Sequence, residues 1–512
     1  MVIWQGLLAV IGLSVLRYAI IQLYKKSITG IQSDGITHYH IFRQIKQKKD
    51  HREWSNFIYD AKPSYYPDLF HHITAKLFTI AQVEKRVWLP SFLYFCMGVS
   101  IFVGAVYYVT GISTIQSKGL VVMAAAGLFA VAINNLDFTK NRRHYIDFSE
   151  RLLAKFCVGF YVLFLYLAIT MDTRFALIPV GLCAVVMLMS QFGRQAICLF
   201  SLIAAVLLWS LIPVLVWAVG VILAFVVAPK AMYYGMKGWL AYMKTYRRIM
   251  QNSVATQEKL SKLYTWSHFK KELQKSSVHA GYYILSQEPL VSMITGLSAV
   301  LLLYFHYAIP GVELSSTLRA FLIAPFIASL ITALKPFRFI GQSYRYVDYL
   351  LYLLPIPYLA MIAVQRWHLV SIYLVGYVVL SMSYAGLKWA MFEKKKDRND
   401  PLSSLKEAVS AMGINSENVV LMLFGGTSRD IVYLTNCKVL YYQTYVYYES
   451  ALALFEENRF PFIKTAFKPL MQEYNVDTIV VDKQRLDASG LSYDFSGLSK
   501  VYENNRYALY HT

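Results

Sequence analysis

Residues 33–75 read SDGITHYHIFRQIKQKKDHREWSNFIYDAKPSYYPDLFHHITA. This polar stretch follows an apolar segment over residues 2–24 that is long enough to cross a bilayer, and a second such segment starts near Trp88. It opens on Asp34-Gly35, sets His38 and His40 just downstream, and closes on Tyr66-Pro67 with His71-His72. A loop of this length between two spans is expected to do more than connect them. It reads as a segment lying on the membrane surface and carrying reactive side chains.

Working outward, the rest of the chain has the composition of a polytopic membrane protein. Of its 512 residues 57% are hydrophobic and 16% charged, too apolar a balance for an ordinary soluble chain. Bilayer-length apolar runs are expected at 2–24, 88–110, 119–134, 153–171, 174–191, 195–210, 212–228, 289–307, 317–334, 346–364 and 368–391, about eleven spans. Arg17 inside the first has to snorkel or face protein. The first run is too long for the apolar core of a cleavable leader and no small-residue cleavage site follows it. Cys96, Cys157, Cys183, Cys198 and Cys437 fall mostly inside apolar runs with no CxxC pair, so they read as small core residues. A formal charge of +20 points to an anionic partner, either lipid head groups or a phosphate-bearing substrate. The basic residues sit in loops between spans, which excludes nucleic acid.

Alternating spans put the long loops 25–87, 135–152, 229–288 and 335–345 on one side, and function is expected there. The 229–288 segment interleaves Tyr242, Lys244, Arg247, Arg248, Tyr264, Trp266, Lys270 and Lys271 at helical spacing. That makeup suits helices in the head-group layer, with direct substrate contact as the alternative. A charged hinge at 393–400 separates a transmembrane region, 1–392, from a soluble segment, 401–512. In the latter, 419–424 and 478–481 are β-rich runs of the kind buried in parallel sheets. Residues 461–474 have helical spacing, Gly425-Gly426-Thr427-Ser428 reads as a strand-to-helix turn, and 498–502 with 507–510 suggests a terminal hairpin. The expected fold is mainly α, a transmembrane helical bundle with a small C-terminal α/β domain. No internal repeat or low-complexity tract is visible.

Several short motifs, in this order and spacing, resemble the C-type (GT-C) glycosyltransferases, polytopic enzymes that use polyprenyl-phosphate-linked sugars. These are Asp34-Gly-x-x-x-x… with His40 at its end, then Tyr66-Pro-x-Leu-x-His71 before the second span. Asn135-Leu-Asp137 follows, with Tyr145-x-Asp147-x-x-Glu150-Arg151 after it, and Gly341-Gln-Ser-Tyr-Arg345-Tyr346-x-x-Tyr349 enters a late span. The tail, EYNVDTIVVD and then VYENNRYALYHT, resembles the small soluble domain that ends many bacterial members. The resemblance implies an inverting transfer of a sugar from a polyprenyl phosphate to a glycan, lipid or protein acceptor.

That chemistry needs a carboxylate as general base, and Asp34 is the candidate, with a helix N-cap as its alternative role. The leaving phosphate needs permanent, bidentate cations. Arg345 is the first choice; Arg142 and Arg143, beside Lys140, follow, and their alternative is lipid anchoring. The resemblance places His71 and His72 near the donor, with Tyr66, His38, Asp137 and Tyr346 as further binding candidates. Asp34, His38, His40, His71 and His72 offer enough donors for a divalent metal, but no HxxxH or DxD spacing occurs, so metal-independent transfer is expected.

The resemblance also implies an integral protein of a bacterial inner or comparable membrane, with its long loops and C-terminal domain extracytoplasmic. Charge argues the other way. The short turns at 111–118, 172–173, 308–316 and 365–367 carry only Lys118 and Arg366, and the positive-inside rule would keep the basic loops in the cytoplasm. A non-catalytic transporter or assembly subunit for lipid-linked saccharides is the rival function. Such proteins usually place ionisable groups inside spans at the midplane, whereas here they cluster in loops.

Overall fold

The structure, a computed structural model, describes residues 34–50, 66–97, 148–245, 296–308, 314–340, 343–349, 401–442 and 462–511, with shorter pieces within 11–18 and 269–293 and at 100 and 454–455. Two compact units are present, and neither is continuous in sequence. One comprises residues 1–30, 67–232 and 263–394; the other comprises 31–66, 233–262 and 395–512.

The first unit is helical. Arg151–Thr170, Gln191–Leu208 and Ser316–Ala333 are each long and apolar enough to cross a membrane. Ile212–Val227 joins them if it and the following helix, bent from it by 119°, count as one broken span. The described residues therefore show three or four spans where about eleven were expected. The segments expected at 119–134 and 368–391 lie outside the described residues, as do most of 2–24 and of 346–364. The 174–191 segment is present but shorter than a span: a 3₁₀ turn, Thr173–Ala176, leads into Leu177–Met189. Within 88–110 and 289–307 the described helix is chiefly Trp88–Met97 and Leu297–Ala308.

Local chemistry sets these boundaries. The Ser190 hydroxyl accepts from the Gly193 N–H at 3.2 Å and Ser315 accepts from Leu318 at 3.2 Å, starting two apolar helices with side-chain caps. Small residues let the helices approach. A Cβ on Gly220 would lie 2.5 Å from that of Cys183, so Ile212–Val227 packs closely on Leu177–Met189 only because Gly220 has none. Buried hydroxyls bond across helices, Tyr161 to Ser201 at 2.7 Å and Ser292 to Ser329 at 2.8 Å.

The second unit is built on a five-stranded sheet in the order β2-β1-β3-β5-β4: β1 Val419–Met422, β2 Lys438–Val439, β3 Thr478–Asp482, β4 Ser499–Glu503 and β5 Tyr507–His511. β2, β1 and β3 are parallel, as the uninterrupted apolar runs of β1 and β3 predict, while β5 is antiparallel to β3 and closes the expected hairpin with β4. Asn504 shapes the hairpin turn, its Oδ1 accepting from the N–H groups of Arg506 and Tyr507 at 3.0 and 2.8 Å. Gly425–Thr427 forms a 3₁₀ turn from β1 into Ser428–Thr435, the strand-to-helix turn expected there. The helical spacing at 461–474 yields helix only over Lys468–Glu473, since Pro469 suits a helix start and not its interior.

One element of this unit comes from far upstream. Asp34–Lys46 is a helix, and its Ile41 belongs to the same apolar core as Leu405, Val420, Ile431, Val432, Ile479 and Leu509.

Candidate active site

In the second unit, Asp34 is the first residue of its helix. Burial is nearly continuous beyond it, from Gly35 through Phe42. Two expected site residues meet here: the His38 ring packs edge-on to Tyr66 with centroids 5.5 Å apart. Aromatic contacts fix the helix to the body that follows the hinge. Tyr39 meets Tyr433 at 5.9 Å, and the His40 ring meets Tyr433 at 6.4 Å and Tyr442 at 6.3 Å. The Arg43 guanidinium donates to Asn436 Oδ1 at 3.3 Å, one turn further on. His40 is 1% exposed, and burial, with the nearby Arg43 charge, pulls its pKa down to about 3. It stays neutral at ordinary pH and acts as a core residue of the helix interface.

In the first unit, the helix Leu69–Leu77 separates the two adjacent histidines. His71 is fully buried, whereas the His72 side chain is 47% exposed with Nε2 3.8 Å from Asp68 Oδ2. Phe70, beside His71, packs on Tyr94 at 5.8 Å and on Phe148 at 5.6 Å, two residues before Glu150. His71 is thus held in the same packed layer as the start of Arg151–Thr170.

Arg345 and Tyr346 lie on a short helix, Tyr344–Val347. The Arg345 guanidinium carbon sits 4.7 Å above the centre of the Phe192 ring, a cation–π contact that leaves its N–H edges available to an anion. Tyr346 is buried against Phe192 and Phe200, its hydroxyl 3.5 Å from Gln195 Oε1. Two residues on, Asp348 forms a 2.8 Å ion pair with Lys155, whose side chain is 7% exposed. Arg345, Asp348, Glu150 and Arg151 all lie close enough to Tyr349 to act on it electrostatically. The first two turns of Arg151–Thr170 and of Gln191–Leu208 therefore meet at Tyr344–Val347. Both helices present their partially positive ends to the neighbourhood of Arg345. Three cations stand there against two carboxylates, an arrangement suited to a phosphate oxyanion.

The structure thus joins Arg345 to Tyr346 and His38 to Tyr66. Asp137, Arg142 and Arg143 lie outside the described residues. It adds Lys155, Asp348, Gln195 and Phe192, which the motif reading passed over. Arg194, beside Gln195, is 4% exposed and its Nε donates to the carbonyl of Met187, satisfying an acceptor left open where Leu177–Met189 ends. Two signals were present: Lys155 is an ionisable residue inside an expected span, and Phe192 falls in the gap 192–194 between two expected spans, on the side of the long loops. Among the described residues, no group of three or more His, Cys, Asp or Glu side chains converges as metal ligands do.

No protein-family model and no curated protein matches the chain. Solved structures do. The Archaeoglobus fulgidus oligosaccharyltransferase, in complex with zinc and sulfate, aligns at a TM-score of 0.53 and 12% identity over 95% of this chain and 70% of its own. The archaeal oligosaccharyltransferase AglB from Archaeoglobus fulgidus, in complex with an inhibitory peptide and a dolichol-phosphate, aligns at a TM-score of 0.52 and 11% identity, over 94% and 70%. At such identities the likeness is one of fold, and it agrees with the motif order read from the sequence. The chain has a fold seen in an archaeal oligosaccharyltransferase.

Proposed function

We propose that this protein is an integral-membrane glycosyltransferase that moves a sugar or glycan from a polyprenyl-phosphate-linked donor to an acceptor, with inversion at the anomeric carbon. The observation that carries the reading is the placement of Arg345 on the Phe192 ring beside the starts of two apolar helices, on a fold shared with oligosaccharyltransferases. Arg345, with the helix ends, holds the departing phosphate, and Tyr346 fixes its helix. His71 and His72 flank the donor. Asp34 takes the proton from the acceptor nucleophile as that nucleophile attacks the anomeric carbon and the bond to phosphate oxygen breaks. Asp137, Arg142 and Arg143 are assigned to the same donor by their motif. A polypeptide is the favoured acceptor, because both neighbours are oligosaccharyltransferases and one of them holds a peptide. The loops and residues 401–512 are assigned to the extracytoplasmic face, so a cysteine introduced in 401–512 reacts with an impermeant thiol reagent in intact cells; reaction only after permeabilisation reverses the orientation.

The decisive experiment is transfer from polyprenyl-phosphate and polyprenyl-diphosphate sugars in nanodiscs, with wild type and Asp34→Asn side by side. Asparagine caps a helix as well as aspartate does but cannot take the proton. The expected loss is about 10²–10⁴-fold with yield unchanged. An equally active Asp34→Asn protein removes the base assignment and leaves the enzyme class standing. A wild type inactive with every donor and peptide acceptor removes the enzyme reading.

A further inference from the structure

The helix Pro229–Thr245 follows Ile212–Val227 after Ala228 alone, and the chain bends by 119° between them. The preceding helix ends on exposed apolar surface, Val226 at 73% and Val227 at 67%. Across the bend, after Pro229 at the helix start, the exposed positions among the described residues are Lys230, Tyr233, Lys237, Leu240 and Lys244. Their spacings of three and four put all five on one helical face. Met232, Gly235 and Gly238, between them, are buried. The helix contains no carboxylate. Its outward face is thus three ammonium groups, one heptad or about 10 Å apart along the axis, alternating with a phenol and an isobutyl group.

We propose that this face lies in the head-group layer and binds the phosphates of anionic lipids. A face meant for water has no use for Tyr233 and Leu240 at 59% and 55% exposure, and a face meant for hydrocarbon has none for a lysine every seven residues. Alternation of the two kinds suits the boundary. The ring and the leucine enter the acyl edge while the lysine stems lie along it and lift their charges to the phosphates. The apolar helix immediately before it delivers the chain to that depth. Uncompensated like charges on one face are stabilised by an anionic surface and by little else on this helix. The same need for lipid phosphate gives a reason for cations to gather on the side where the positive-inside rule does not expect them.

The test reads lipid at the helix itself and requires no catalytic activity. A fluorophore is placed at Leu240→Cys, with the parent protein labelled in parallel as background, and quenching by brominated phosphatidylglycerol is compared with that by brominated phosphatidylcholine in mixed nanodiscs. The anionic lipid should quench at a mole fraction lower by about five-fold for each lysine engaged. The preference should vanish in K230Q/K237Q/K244Q and persist in K230R/K237R/K244R, whose helix is equally perturbed. Equal quenching by the two lipids in the parent, or quenching by neither, overturns the proposal. So does loss of the preference on adding inorganic phosphate when chloride of equal ionic strength leaves it intact, which would mark a site for free phosphate.

Discussion

Two buried titratable sites, one in each unit, are handled in opposite ways. The helical unit keeps charge inside apolar surroundings by pairing it: Lys155 with Asp348, next to Arg345 on its ring. The sheet unit pairs one buried charge too, Asp482 with Arg506 at 3.1 Å, but at its helix interface it takes the other course: His40, packed among tyrosines, is held neutral by burial. Pairing preserves a local field that an anionic donor can use, while neutrality makes a quiet interface that only has to hold a helix in place.

The comparison breaks most visibly at Lys155. Lys155→Met takes the ammonium from the Asp348 carboxylate, whose side chain is 18% exposed, and the expected loss is about 3 kcal/mol of stability, the low end of the range for breaking a buried pair. The double variant Lys155→Met/Asp348→Leu should recover most of it in thermal unfolding while transfer stays low, because the field around Arg345 has gone. A double variant no more stable than the single one would mean that the pair is not held together by charge.

His40 should respond to acid instead. Its folded-state pKa lies below the unfolded value, so the unfolded chain binds the extra proton between about pH 3 and 6.5. The contribution is fully present above pH 6.5 and is lost as pH falls. At pH 5 about 2 kcal/mol should be gone, at a slope near 1.4 kcal/mol per pH unit. His40→Phe should flatten the acid limb of unfolding followed on the sheet unit and leave the Lys155 effect untouched.

Legibility in the sequence follows the same division. The β1 and β3 runs, the terminal hairpin and the turn at Gly425 were readable because each is a local pattern closed by local chemistry. The helix Asp34–Lys46 was readable as a helix, but its place in the C-terminal core was not. Its buried face includes Thr37, His38, His40 and Gln44, so apolar period says nothing of the burial, and Ile41 meets its core partners across more than 350 residues of sequence. Arg345 and Tyr346 stood out by motif. Their neighbours Phe192 and Gln195 did not, because a short turn between two spans offers no loop to notice. Lys155 was hidden by the average: one ammonium hardly lowers the hydropathy of a twenty-residue apolar helix.

A smaller effect is expected at the junction beside Arg345. Ser190→Ala removes the hydroxyl that accepts from Gly193 and should cost about 1 kcal/mol. If the start of Gln191–Leu208 supports donor phosphate, the same change should raise KM for the lipid-linked donor more than it lowers kcat. An unchanged KM would confine Ser190 to a structural role.

The smallest effect on stability falls on the histidine pair, where the two ways of treating a titratable group meet in adjacent residues. His72 faces solvent and its Asp68 contact, at 3.8 Å between partly exposed groups, is of the kind worth about 0–1 kcal/mol. His72→Gln should therefore leave the unfolding temperature nearly unchanged. His71, fully buried beside Phe70 in the layer that reaches Phe148, should not tolerate Ala, which leaves a cavity and costs a few kcal/mol as other large-to-small core changes do. Stability alone thus ranks His71 far above His72, and activity per folded molecule supplies the contrast. If the exposed imidazole meets the donor, His72→Gln should raise KM for the donor several-fold at full stability. Should His72→Gln match wild type in KM while a stabilised His71→Gln protein loses donor affinity, the donor contact belongs to the buried ring, and the exposed histidine is an anchor at the membrane edge.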